Sequence, residues 1–254
     1  MMSTWLAKEA RDMFRLGRWI PLVAIYLFLG VLQPVTFKLL PVILDSASNL
    51  PKGTVIQIPP PTVEQVLNGI IGQYNQLGML ALILVGMGLI AGERKAVGEW
   101  LWSKPVALYQ YILAKFTVLF LVAAISSLVG FGLGGYYTAQ LIGPVDWNVL
   151  WQGALLYVVY QAFLISVILL ASALVTNPTL AGGVALLVIV PINMLGIVWH
   201  QNFVPGLMAL IQTRFSQIAW SGGAPWEPVV TTVLGTLLLL ALQFPLLAWR
   251  KTSH

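Results

Sequence analysis

Few residues in this sequence have side chains that could carry covalent or acid–base chemistry. Cysteine is absent, which excludes disulfides, thiolate nucleophiles and Cys-ligated metals. The two histidines, His200 and His254, have no neighbours in sequence that would complete a metal site. No G-x-x-x-x-G-K-[ST] phosphate loop, G-x-S-x-G elbow or H-E-x-x-H pair occurs. What remains is hydrogen bonding from polar residues inside long apolar stretches. Gln73, Asn75 and Gln76 fall in one run, and Gln161, Asn193 and Gln243 stand singly. Polar groups at such depth are costly unless partnered. The run of three therefore has two readings, a substrate path or interhelical hydrogen bonds, and the single residues read more simply as the latter.

The elements that hold these residues follow from composition. The chain has 59% hydrophobic and 8% charged residues, with a mean hydropathy of +0.88. A soluble domain carries about 25% charge, so this chain belongs in a bilayer. Apolar stretches at 19–40, 69–91, 111–139, 149–175, 181–199 and 229–249 each reach the roughly 20 residues needed to cross hydrocarbon. The expected fold is an all-α integral membrane protein: a single domain over 19–254 with six transmembrane helices. Pro21, Pro34, Pro191 and Pro245 mark kinks. The Gly130-x-x-x-Gly134 spacing allows close backbone contact between helices.

Basic residues set the orientation. With the N-terminus inside, Lys8, Arg11, Arg15, Arg18, Arg94, Lys95, Lys104, Lys115, Arg250 and Lys251 are cytoplasmic, against Lys38, Lys52 and Arg214 outside. That bias places both termini in the cytoplasm. Lys115 lies near the inner end of the third span, where a lysine can snorkel. Residues 1–18 contain Glu9 and Asp12, unlike a signal peptide. Their Trp5, Leu6, Met13, Phe14 and Leu16 at roughly helical spacing predict an amphipathic helix on the inner face. Outside, the proline-rich 45–65 loop reads as extended and irregular. Between the fifth and sixth spans, 200–228 is apolar enough to dip into the outer leaflet but too short to cross. Arg214 there sits near the surface or pairs with Glu227.

Between the second and third spans runs GERKAVGEWLWSKPVALYQYILAK, residues 92–115. Trp100, Leu101 and Trp102 form an apolar knob between Glu99 and Lys104, and Pro105 ends the helical part. Exposed aromatics on such a loop fit either a docking surface for a partner or an anchor at headgroup level. The run Glu93-Arg94, then Glu99-Trp100-Leu101-Trp102-Ser103-Lys104-Pro105-Val106, then Lys115, resembles the signature of the ABC-2-type transporter permease family. Two positions depart from that pattern. Gly98 stands where a Gly-Thr turn is usual, and Ala107-Leu108 replace a basic residue after Pro-Val.

The resemblance implies the transmembrane subunit of an ATP-binding-cassette exporter. Loop 92–110 would be its coupling helix, with Glu93, Arg94, Glu99, Trp100, Leu101, Trp102, Ser103, Lys104 and Pro105 contacting a separate ATPase. Two ATPase copies carrying ATP and Mg would serve two permease subunits, identical or related, in the cell membrane. This chain itself would be no enzyme and would bind no cofactor, metal or nucleic acid. The rival readings are a non-transporting membrane receptor or immunity protein, and an intramembrane enzyme, for which the spans lack a catalytic constellation. No buried acid or base suggests a proton relay, so a substrate with an apolar surface fits best.

Overall fold

The computed structural model describes residues 2–47, 60–93, 108–198, 208, 211–212 and 226–252. Every regular element among them is helical. In order these are α1 (Met2–Arg15), α2 (Trp19–Ala47) and α3 (Val63–Gln73). A wide π-helical turn (Tyr74–Gly78) leads into α4 (Met79–Gly86) and the short α5 (88–93). Then come α6 (Leu108–Leu141), α7 (Trp147–Leu174), α8 (Pro178–Val198) and α9 (Glu227–Thr252).

Five helical stretches are long and apolar enough to cross a membrane: Trp19–Val42, Val63–Glu93, Leu108–Leu141, Trp147–Leu174 and Glu227–Ala248. Within α8, the apolar stretch Pro178–Met194 is shorter. Helices are the expected solution in lipid, because each satisfies its own backbone groups. The chain is a multi-pass α-helical membrane protein. The segment 200–228 lies almost wholly outside the described residues, as do residues 48–59 of the 45–65 loop. The ends of that loop are helical: α2 continues to Ala47 and α3 begins at Val63. Thr62 and Gln65 form a capping box at the start of α3, which sets where the irregular chain stops.

α7 is the most enclosed helix, while α2 and α9 present most of their surface outward. The backbones of α2 and α6 approach closely at their glycines. A Cβ on Gly30 would strike the carbonyl of Gly130, and one on Gly134 would lie 3.1 Å from the Gly30 carbonyl. The Gly130-x-x-x-Gly134 pair therefore packs two helices of one chain together. Just before α2, Gly17 turns left-handed (φ 65°) and Arg18 N–H reaches back to Met13 O at 3.1 Å. That closes α1 and folds it against α6, with the Trp5 ring edge-on to Tyr111 at 5.8 Å. The predicted amphipathic helix is present, but its buried side faces protein. Glu9 and Met13 are enclosed, whereas Phe14 and Leu16 are exposed.

Candidate functional site

Two clusters of polar side chains are built into this frame. The first lies at the end of the bundle where α1 folds back. Lys115, on the first turns of α6, is fully enclosed and does not snorkel, contrary to the expectation from its position in sequence. Its ammonium lies 3.1 Å from both Glu9 carboxylate oxygens and 2.9 Å from Glu93 Oε2. The reason is that α1 covers this face and supplies the acid, so the charge is paired in place.

Lys8 joins Glu9 (2.8 Å), Asp12 (3.2 Å) and Glu93 into the same network. Tyr111 Oη donates to Glu93 Oε2 at 2.8 Å. Burial alone would lower the pKa of Lys8, but hydrogen bonds to Glu9 and Glu93 outweigh it and hold the ammonium above its ordinary 10.5.

The helix carrying Glu93 is itself fixed from outside. The helix is interrupted at Met87, and α5 starts afresh with orphan N–H groups. Ser172 of α7 meets them: its Oγ accepts from Ile90 N (3.2 Å) and Ala91 N (2.9 Å) and donates to Met87 O (2.7 Å). One hydroxyl thus bridges both sides of the break. Glu93 is the only one of the expected ATPase-contact residues that is described. Arg94, Glu99, Trp100, Leu101, Trp102, Ser103, Lys104 and Pro105 lie outside the described residues.

The second cluster lies midway along the helices. The wide turn at Tyr74–Gly78 leaves the Tyr74 carbonyl to be shared between Met79 N–H and the Tyr157 hydroxyl, which donates at 3.0 Å. Tyr74 Oη in turn donates to Tyr26 O at 2.7 Å, filling the space that Gly130 leaves open. Gly78 lets the Tyr26 ring lie against the turn: a Cβ there would meet it at 2.8 Å. Tyr26 and Tyr157 hydroxyls are 3.3 Å apart. Tyr157 is committed to a carbonyl, so Tyr26 donates to it.

Next to these, Tyr160 Oη lies 3.0 Å from Asn75 Oδ1 and 2.7 Å from Asn193 Oδ1. Of the run found in the sequence, Asn75 is thus tied to α7 through Tyr160, which also meets Asn193 of α8. Gln73 is half-buried, its Oε1 without a partner among the described residues, and Gln76 is exposed. The single residues tie helices in pairs. Ser127 donates to Gln161 Oε1 (3.1 Å), and Gln243 Nε2 donates to Ser166 O (3.2 Å).

No protein-family model matches the chain. Over 167 residues it is 29% identical to a protein of Bacillus subtilis (strain 168) described as "Uncharacterized transmembrane protein YxlG". The match spans 65% of this chain and 65% of that relative's length. The likeness agrees with a protein that resides in a membrane.

Proposed function

We propose that the chain is the transmembrane permease subunit of an ATP-binding-cassette exporter of the ABC-2 type. In this reading it has six spans with both ends in the cytoplasm, and α8 is the fifth span. It lies in the cell membrane beside a second permease, of the same or a related chain. Loop 92–110 docks on a separate ATPase, which is present in two copies and carries the ATP and Mg.

The observation that favours this reading is the ion network at the base of that loop. Glu93 stands where the loop leaves α5, and Tyr111 and Lys115 stand just after it on α6. These three are tied to each other and to α1. A push on a loop with free ends would be absorbed by the loop. With its ends braced by buried charge, the push would move α1, α5 and α6 together. Ser172 extends the brace to α7, the middle of the bundle.

The test uses the absence of cysteine. Ser103→Cys gives a single crosslinking position in the loop. After crosslinking in native membranes, mass spectrometry is expected to find an ATP-binding-cassette ATPase attached. Free labelling of the introduced thiol with no ATPase captured, even in gently solubilised complexes, refutes the permease reading. It would favour a receptor or immunity protein instead.

A further inference from the structure

The place where Asn75, Tyr160 and Asn193 meet has more hydrogen-bonding capacity than the protein uses. A phenol has one hydrogen, so Tyr160 donates to one asparagine, and the other must turn its amide to donate to Tyr160. The first asparagine then keeps two N–H groups; the second keeps one N–H and its carbonyl. Nothing else among the described residues takes up these groups, and both asparagines are only half-buried. Amide groups left in this state within an apolar layer are costly.

The depth is central. Tyr160 lies near the middle of the 28 residues of α7, roughly 20 Å from either end at 1.5 Å per residue. One flanking element is irregular at this level and the other carries a helix-interior proline. Asn75 is within the wide turn, and Asn193 follows Pro191 by two residues. Irregular backbone inside a membrane belongs where it lines a cavity or meets protein. The neighbours Gln76, Leu77, Pro191 and Met194 are exposed, so this polar site faces the outside of this chain. Neither α7, α8 nor the wide turn contains Asp, Glu, Lys or Arg.

We infer that this polar site between the wide turn, α7 and α8 binds the uncharged, hydrogen-bonding head group of an amphiphile, such as an amide or hydroxyl, with its apolar body lying along the exposed helix faces. An ionic head group would find no counter-charge on α7, α8 or the wide turn and would be costly there. The inference deepens the permease reading by naming the class of cargo, and it rests on that reading only for calling the ligand cargo. Binding itself is tested on the purified chain, without an ATPase.

The full chain in phosphatidylcholine nanodiscs is photolabelled with an N-acylethanolamine bearing a diazirine on the acyl carbons next to the amide. The matching N-acylglycine, a carboxylate of equal length, is the comparison. Saturable labelling is expected on peptides around Asn75 and Asn193, with the carboxylate labelling weakly. Asn193→Leu should weaken labelling roughly fivefold or more, the effect of losing one or two hydrogen bonds. Tyr160→Phe removes one oxygen and keeps the shape, so it tests the site even if Asn193→Leu does not fold. Unsaturable labelling, equal labelling by the carboxylate, or unchanged labelling of Tyr160→Phe overturns the site. Those results leave the Ser103→Cys capture untouched. A failed capture with intact labelling removes the exporter and keeps the binding site.

Discussion

Replacing Lys115 with methionine isolates the energy stored in the network below the loop. The lysine is fully enclosed and faces Glu9 at 3.1 Å and Glu93 at 2.9 Å. At about 3 Å and an effective dielectric constant near 20, each opposite charge attracts it by roughly 5 kcal/mol. The several kcal/mol of lost hydration for a buried ion offsets much of this. After Lys115→Met, however, the enclosed Glu9 and the half-buried Glu93 are left with Lys8 as their shared cation, and Lys8 is 41% exposed and screened by solvent. The net loss should be about 3–5 kcal/mol, the usual result of removing one partner of a buried pair.

For a chain of this size that corresponds to a fall in Tm of roughly 6–20 °C. The assay is thermal unfolding of the detergent-solubilised chain, followed by size-exclusion chromatography with tryptophan fluorescence. Glu9→Gln alone should destabilise less, because Glu93 still holds Lys115. The double variant Lys115→Met with Glu9→Gln should be more stable than the sum of the two losses implies, by at least about 1 kcal/mol. Strict additivity, or a Tm within about 2 °C of the starting protein for Lys115→Met, would falsify the buried pair.

Ser172→Ala leaves two enclosed N–H groups of α5 without an acceptor; a loss of about 1–3 kcal/mol is expected, seen as a lower Tm and faster amide exchange at Ile90 and Ala91. Gly130→Ala drives a methyl into the Tyr74 hydroxyl and to 2.6 Å from the Tyr26 carbonyl, so the yield of monodisperse protein should collapse. Gly183→Ala, with nothing within 4 Å of its Cβ, should leave that yield unchanged. For pH dependence, Lys8 has a folded pKa above the unfolded 10.5. The stability it contributes is fully present below pH 10.5 and is lost as pH rises through the folded value. Melting curves of the starting protein should therefore lose stability in that alkaline range more than those of Lys8→Gln; identical alkaline losses would refute this.

The five long apolar helices were legible in the sequence because a bilayer imposes a minimum apolar length, and 111–139 and 149–175 lie within or within a residue of α6 and α7. The start of α3 was also written locally, in Thr62-Val63-Glu64-Gln65, a capping-box pattern that the proline-rich reading of 45–65 passed over. The charge network was not legible. Its pairs are separated by 85 and 106 residues, and nothing local to Lys115 says that α1 will fold over it. Glu9 and Asp12 in the sequence argued only against a signal peptide. The run Gln73–Gln76 read as one polar set, but adjacent residues on a helix do not share a face, so Asn75 is half-buried while Gln76 is exposed. Asn193 and Tyr160 could be linked to that run only once α7 and α8 were packed against it.

The left-handed turn at Gly17 and the distance from Glu9 to Lys115 along the chain bear on how the protein is made. Glu9 leaves the ribosome 106 residues ahead of the lysine that neutralises it in the folded state. Until α6 has entered the bilayer, α1 has no buried partner for its acid and must wait at the membrane surface. Once Lys115 arrives, the hinge at Gly17 lets α1 close over it. A nascent or truncated chain that stops short of α6 therefore keeps an open N-terminal helix.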